Sequence, residues 1–148
     1  MKWTHKVTRR SLMFIAAVAL AGCATMGDQA LTVPLSGAQE VPPVNTSGSG
    51  TATIKVGADG AVTASIKTQG VPGIAAHIHE GAAGANGPVI VPMSKRGDNE
   101  WVTEPAAKFT PAQLEAYKGG RTYFNVHTPQ NKGGEVRGQI RPAGGKAY

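Results

Sequence analysis

Cysteine is almost absent from this chain of 148 residues, which contains a single one, Cys23. One thiol cannot form an intramolecular disulfide. Because Cys23 lies near the N-terminus, everything after it lacks a thiolate, which is both a common zinc ligand and the nucleophile of cysteine hydrolases. The chain also has no Gly-x-Ser-x-Gly sequence, so the nucleophile turn typical of serine hydrolases is missing as well.

The apolar stretch near the N-terminus is too short to span a membrane. It covers residues 11–21 and follows the basic residues Lys2, Lys6, Arg9 and Arg10. A basic start followed by a short apolar stretch predicts a secretory signal peptide over residues 1–22, which is removed from the mature protein.

The end of this stretch, Leu20-Ala21-Gly22-Cys23, resembles the lipobox of bacterial lipoproteins. The resemblance implies cleavage before Cys23 and acylation of that residue, so the membrane becomes a partner through a lipid anchor. Ala24 in place of Asp implies the outer membrane, facing the periplasm or the cell surface. The alternative is an ordinary signal peptide followed by an incidental cysteine.

Basic patterning is lacking once the signal peptide is set aside. That segment holds four of the 15 Lys and Arg residues and none of the nine Asp and Glu residues, which leaves 11 against 9 and a net charge of +2. The remaining chain has no basic run and no basic stripe with interleaved aromatic residues, which excludes nucleic acid as a partner. The sequence indicates no particular protein partner.

The rest of the chain predicts one domain. The small and polar residues 23–30 are typical of a short tether, and residues 31–140 are enough to bury a single core. Residues 141–148, which contain Pro and Gly, predict a flexible tail.

Within this domain apolar residues recur with period two, which is typical of strands with one buried face. The pair Asp59-Gly60 predicts a hairpin turn. The consecutive prolines in residues 40–44 predict a loop or an extended edge segment. Strands are predicted at about 31–36, 50–57, 61–69, 74–79, 88–92, 100–104, 121–127 and 134–140.

One segment predicts a helix. Thr110 offers an N-cap, Pro111 suits the first helical position, Gln113 completes a capping box, and Gly119-Gly120 ends the segment. Short strands with one short helix predict an all-β fold, namely an antiparallel Greek-key sandwich or barrel.

Histidine is scarce, and its placement is the clearest indication of chemistry. Of the four histidines, His5 lies in the signal peptide, His77 and His79 occupy alternate positions of one predicted strand, and His127 ends another. Side chains two residues apart in a strand project from the same face. Three neutral imidazoles could form an open site for copper or zinc. The competing interpretation is a set of polar histidines on the wet face of a sheet.

Five stretches resemble the CHRD domain, a module named after repeats in chordin and also found in secreted bacterial proteins. They occur in family order and extend over most of residues 31–140: 35–43 (LSGAQEVPP), 50–52 (GTA), 76–81 (AHIHEG), 123–128 (YFNVHT) and 134–140 (GEVRGQI). The resemblance implies an extracellular or envelope domain, and it includes adhesion and protein binding among the functions expected of such a domain.

A second resemblance concerns residues 77–80, His-Ile-His-Glu, which are similar to the copper-binding strand of copper/zinc superoxide dismutases. In those Greek-key enzymes both histidines of that strand and a histidine on a late strand bind copper. The resemblance implies His77, His79 and His127 as the metal ligands. The bridging histidine, the zinc-binding cluster and the paired cysteines of those enzymes have no counterpart here.

Four side chains on the last two predicted strands are candidates for orienting these ligands: Tyr123, Asn125, Glu135 and Arg137. Glu135 and Arg137 could instead form a surface row of ion pairs with little effect on stability. The glycine-rich residues 81–88 could cover the site or be a plain connection.

Three functions remain open. The first is a lipid-anchored CHRD protein of the cell envelope that binds, stores or delivers copper or zinc, or performs limited redox chemistry. The second is an adhesion or protein-interaction module without metal. The third is an enzyme, a copper-dependent oxidoreductase similar to superoxide dismutase.

Overall fold

The chain forms an antiparallel β-barrel in a computed structural model that describes Met1 and residues 29–143. Residues 2–28 and 144–148 lie outside the described residues, and with them Cys23 and most of the predicted signal peptide, tether and tail. The strands are β1 (Leu31–Ser36), β2 (Ser49–Val56), β3 (Val62–Gln69), β4 (Ala75–Glu80), β5 (Val89–Lys95), β6 (Glu100–Thr103), β7 (Thr122–His127) and β8 (Val136–Ile140).

The closed barrel has the strand order β1–β2–β3–β6–β5–β4–β7–β8. Strands β3 and β6, and strands β4 and β7, are neighbours in space although they are not consecutive in the chain. The predicted all-β antiparallel barrel with one short helix is therefore confirmed. The Greek-key assignment and the likeness to superoxide dismutase stay predictions.

The β2–β3 hairpin shows the expected alternation of buried and exposed residues along both strands. Its turn contains Gly60 at φ +87°, a conformation that glycine adopts without strain. The Asp59 carboxylate accepts a hydrogen bond from the backbone N–H of Ala61 at 3.1 Å, which closes the turn. The barrel interior receives the apolar side chains of these strands, including Ala52, Ile54, Ala64 and Ile66.

Strand β7 departs from this alternation, because its first five residues are all buried. Phe124 and Val126 belong to the apolar core, and Tyr123 and Asn125, which alternate with them along the strand, are also buried. Side chains alternate between faces in a strand, so both faces of β7 are shielded from solvent. Something other than the barrel interior must cover its outer face.

The final strand begins later than predicted. Residues 134 and 135 precede β8, so the strand predicted at about 134–140 starts two residues later in the structure. Gly134 has φ +132°, which takes the backbone out of the extended conformation.

The barrel closes between β1 and β8 through one registered pair, Ser36 with Arg137. The Gln39 side chain supports this seam because it donates to Pro34 O at 3.1 Å and accepts from the backbone N–H of Gln139 at 3.2 Å. The Gln39 amide thus bridges the backbone acceptor of β1 and the backbone donor of β8.

The one α-helix among the described residues, α1 (Pro111–Lys118), begins as predicted. Thr110 accepts from the backbone of Gln113, and the Gln113 side chain accepts from the backbone of Thr110, which forms the complete capping box. Across the described part of the chain, no helix combines the length and the apolar character that crossing a membrane requires.

Candidate metal centre

The three histidines meet on the outer face of strands β4 and β7. In the register of this pair, His77 lies opposite Asn125, and Ala75 lies opposite His127. One potential ligand nitrogen from each of His77, His79 and His127 lies within 4.8 Å of the others. The fold therefore brings together the three side chains that the sequence analysis selected.

The shortest contact in the cluster joins His77 Nδ1 and His127 Nε2, which are 2.9 Å apart. Two nitrogen ligands with bonds of about 2.0 Å lie roughly 2.9–3.3 Å apart at angles near 93–110°. The His77–His127 pair therefore already has the spacing of two ligands on one metal ion. The cluster is wider than a ligand set as a whole, because nitrogens up to 4.8 Å apart must approach to about 3.3 Å to share one ion.

Backbone carbonyls hold two of the three imidazole rings. His79 Nδ1 lies 2.9 Å from Gly87 O, and His127 Nδ1 lies 2.8 Å from Lys132 O. A carbonyl accepts only, so each Nδ1 carries the proton of the neutral ring and each Nε2 presents a lone pair. With His127 Nε2 as an acceptor, His77 Nδ1 donates to it in the metal-free protein. Binding a metal through this atom requires His77 to move its proton to Nε2.

The protonation states of His77 and His79 suit metal binding. Burial lowers the pKa of His77 to about 4, with the two neighbouring histidines acting in the same direction. Burial also lowers the pKa of His79, and its hydrogen bond to Gly87 opposes this shift. Both rings are therefore neutral at pH 7, and a neutral imidazole is the form that binds a metal.

His79 is the most enclosed of the three ligand candidates. Its side chain is buried, and its Nε2 atom has no hydrogen-bond partner in the described structure. Its ring stacks on Tyr123 with centroids 4.9 Å apart and an angle of 9° between planes. A buried polar atom without a partner carries a desolvation cost, and a metal ion at Nε2 would remove that cost.

Two further buried oxygen atoms lack partners near β7. These are Asn125 Oδ1 and Glu40 Oε1. A side chain at Gly134 would overlap both the Glu40 carboxyl group and the Asn125 amide, so these two groups meet at Gly134. Burial raises the pKa of Glu40 to about 7, and the charge of Arg137 opposes this shift.

Glu40 belongs to this region although sequence reasoning placed it only in a proline-containing loop. The signal that could have found it is the resemblance itself, because Glu40 lies in the first matching stretch, residues 35–43. Hydrophobic periodicity could not indicate that Glu40 is buried, because Glu40 lies in a loop and precedes two prolines.

Tyr123 and Arg137 form the wall beside His79. The Arg137 guanidinium lies 3.5 Å from the centre of the Tyr123 ring, and Arg137 is 1% exposed. The hydroxyl of Tyr123 accepts a hydrogen bond from the backbone N–H of Gly87 at 3.2 Å. These contacts place both residues around the histidine cluster rather than on an exposed surface.

Glu135 is also buried, at 7% exposure, and it forms no ion pair with Arg137 within the described residues. Its carboxylate accepts from Thr128 Oγ1 at 2.6 Å, Thr46 Oγ1 at 2.8 Å and Asn131 Nδ2 at 3.3 Å. The bond from Thr128, followed by those from Thr46 and Asn131, holds its pKa below the ordinary value. The two charged residues therefore line the covered face, and the alternative of a surface ion-pair row is wrong.

Residues 81–88 form the cover on one side of the site. Arg137 donates to the backbone oxygens of Ala82 and Ala85, and Asn86 Nδ2 donates to Val41 O at 2.7 Å. The segment is thus bonded both to β8 and to the loop that carries Glu40. In residues 29–143 the histidines are the one group of three or more His, Cys, Asp or Glu side chains arranged for a metal ion.

Comparison with known proteins gives one family and no individual relative. No curated protein and no solved structure matches this chain significantly. The family model of the CHRD domain matches residues 31–140, which is the whole barrel from the first residue of β1 to the last of β8. The chain therefore belongs to the CHRD domain family.

Proposed function

We propose that this protein is a cell-envelope lipoprotein whose CHRD domain binds copper, or zinc, through His77, His79 and His127. The observation that carries the proposal is the convergence of three imidazole nitrogens, two of which have their lone pairs preset by backbone carbonyls. Protein sites commonly hold a metal-binding imidazole in this way, with its second nitrogen donating to a carbonyl.

Copper is the favoured ion because of the donor set. The three candidate donors are nitrogens, without a thiolate or a carboxylate among them. Imidazole suits both metals, and copper(II) binds nitrogen sites more tightly than zinc in the general order of divalent affinities. Three protein ligands would leave a coordination position for water or another molecule, which is compatible with storage, delivery or limited redox chemistry.

Attachment to the envelope completes the proposal. The stretch 20–23 resembles a lipobox, so we propose export, acylation of Cys23 and placement at the outer membrane, facing the periplasm or the cell surface. Labelling with a radioactive fatty acid would test this. We expect label in the wild type and none in Cys23→Ala, and label retained by Cys23→Ala would contradict the proposal.

The metal proposal is tested by titration of the full chain in a Cys23→Ser background, which removes the thiol as a competing ligand. Cu(I), Cu(II) and Zn(II) are titrated against a chelator of known affinity. We expect one equivalent bound, and at least about 100-fold weaker binding in each of His77→Gln, His79→Gln and His127→Gln. The matched control is His5→Gln, since His5 lies outside the barrel sequence.

Undiminished binding in the variant with all three substitutions would contradict the metal function. A dismutase assay on the metal-loaded protein, with free copper removed by the chelator, separates an enzyme from a binding protein. Superoxide turnover that is lost with the histidine substitutions would assign catalysis to the cluster.

A further inference from the structure

Arg137 is buried, and its guanidinium group donates hydrogen bonds to residues of the segment 82–86 and to the neighbouring Gln139. None of these acceptors is a carboxylate. Its Nη2 atom donates to Ala82 O at 3.1 Å and Ala85 O at 3.0 Å, and to Gln139 Oε1 at 3.1 Å. Its Nη1 atom lies 3.3 Å from Asn86 Oδ1. The guanidinium group therefore anchors residues 82–86 to β8.

This anchored segment leads directly to the carbonyl that holds His79. Gly87 follows Asn86, and its O atom accepts from His79 Nδ1 at 2.9 Å. A side chain at Gly87 would overlap the Glu80 carbonyl, so the backbone at this position lies as close to β4 as it can. Arg137 also packs on the Tyr123 ring that stacks against His79. One cation thus supports both the hydrogen bond and the ring contact of His79.

Glu135 has the corresponding arrangement for His127. Its carboxylate receives hydrogen bonds from Thr128 and Asn131, which lie in the segment 128–134 between His127 and β8. Asn131 O in turn accepts from the backbone of Thr128 and of Gly134. Lys132, inside this segment, provides the carbonyl that accepts from His127 Nδ1 at 2.8 Å.

We infer that Arg137 and Glu135 are positioning residues that each fix the tautomer of one metal ligand through a loop carbonyl. Arg137 acts on His79 through Gly87, and Glu135 acts on His127 through Lys132. His77 has no such carbonyl in the described part of the chain and remains the ligand whose ring can change its tautomer, since its Nδ1 atom faces His127. The inference rests on the proposed metal function, because it describes how two of the three donors are prepared.

The direct test is a nitrogen-15 NMR measurement of the histidine tautomers in the metal-free full chain, followed by metal titration. In the wild type we expect His79 and His127 to carry their protons on Nδ1. Arg137→Lys keeps the charge but replaces the planar guanidinium with a smaller ammonium group that cannot reproduce the same set of hydrogen bonds, so it should produce a tautomer mixture at His79 alone. Glu135→Gln replaces an acceptor with a partial donor, so it should change His127, together with the His77 ring that donates to it, and leave His79 unchanged.

We expect these variants to bind copper about 10- to 100-fold more weakly than the wild type. The matched control is Arg96→Lys, which changes an exposed arginine paired with Glu100 and should alter neither tautomers nor affinity. If Arg137→Lys does not fold, Tyr123→Phe provides the second variant. It keeps the stacked ring, removes the acceptor for Gly87 N–H, and should also shift the tautomer of His79.

The outcomes separate the two proposals. A selective change at His79 in one variant and at His127 in the other supports the positioning roles, since a general loss of structure would alter both rings together. Unchanged tautomers in Arg137→Lys and Glu135→Gln, or the same change in both, would overturn the inference. Absence of metal binding in the wild type is a different result, and it would overturn the metal function.

Discussion

The β2–β3 hairpin and the β7–β8 pair belong to the same barrel but differ in the exposure of their outer faces to solvent. In the hairpin, outward-facing residues such as Thr51, Thr53 and Lys55 are exposed. In β7, the outward-facing Tyr123 and Asn125 are buried, as is Arg137 in β8. The loop around Glu40 and the segments 81–88 and 128–134 account for this difference, because their hydrogen bonds tie them to the face of β7 and β8.

The comparison shows that the core and the candidate metal site use opposite faces of one sheet. The apolar interior is continuous around the barrel, whereas the buried charged residues Glu40, Glu135 and Arg137 lie where loops cover the outside. Burying polar groups is costly unless they are paired. We therefore expect substitutions under the loops to have large effects, and equivalent substitutions on the open hairpin to have small ones.

The largest effect is expected for Gly134→Ala. Its added Cβ would overlap the Glu40 carboxyl group and the Asn125 amide, and φ +132° is a conformation that alanine rarely adopts. Strain and overpacking together predict a loss of about 3 kcal/mol or more in the free energy of unfolding. Chemical denaturation measures this loss.

The matched control is the neighbouring Gly133→Ala, where an added Cβ meets nothing within 4 Å. It should change the stability by less than about 0.5 kcal/mol. Equal effects at both positions would mean that the close packing under the loops does not govern stability.

The pH dependence of stability should have opposite signs in the two regions. The folded-state pKa of Glu40 is raised from 4.5 to about 7, chiefly by burial. Its carboxyl is protonated in both states below pH 4.5, and above that pH the unfolded state ionises first. Its contribution to stability is therefore lost as the pH rises from about 4.5 through 7, by about 2–3 kcal/mol.

Asp59 on the hairpin turn provides the contrast. The backbone N–H of Ala61, followed by Lys108, lowers the pKa of this exposed carboxylate, so its contribution is lost as the pH falls through that lowered pKa. The lowered pKa values of His77 and His79 act in the opposite sense to that of Glu40 over the same pH range, so the test is the stability difference between Glu40→Gln and the wild type at each pH. This difference should shift in favour of Glu40→Gln by about 2–3 kcal/mol between pH 4.5 and pH 8, and a difference that does not change with pH would show that Glu40 makes no such contribution.

The smallest expected difference in stability is between substitutions at two threonines, one under the loops and one on the open hairpin. Thr128 is fully buried, and its hydroxyl donates to Glu135 and accepts from the backbone of Asn131. Thr128→Ala leaves both groups without this partner, and we expect a loss of about 2 kcal/mol. Thr53 is exposed and bonds Ser65 across the hairpin, so Thr53→Ala should cost less than about 0.5 kcal/mol. Similar losses in the two variants would contradict the contrast.

Much of the barrel could be predicted because period-two patterning is a local property. The Asp59-Gly60 turn, the helix that begins at Pro111, and the strands around residues 54 and 66 all follow from neighbouring residues. The His77 and His79 pair was accessible for the same reason, since alternate residues of a strand share a face. The prediction that His127 lies near His77 and His79 came from the resemblance to superoxide dismutases and from the position of His127 on a predicted strand.

The cover of the site could not be predicted from local patterning. Arg137 is bonded to residues more than fifty positions earlier in the chain, and Glu40 meets Asn125 only because Gly134 leaves room for it. Alternation on the last strand placed Glu135 and Arg137 on one face, but their burial depends on loops whose sequences have no regular period. The carbonyls of Gly87 and Lys132 belong to the backbone, so the pattern of side chains in the sequence could not indicate their role.

The central claim is that His77, His79 and His127 hold one metal ion together. X-ray absorption at the copper edge, on the full-length Cys23→Ser protein loaded with one equivalent of copper, tests it most directly. The account predicts three imidazole nitrogens at about 2.0 Å and loss of this signal in the variant with all three histidines replaced by glutamine. The same imidazole signal in that variant, or copper bound in the wild type without imidazole, would contradict it.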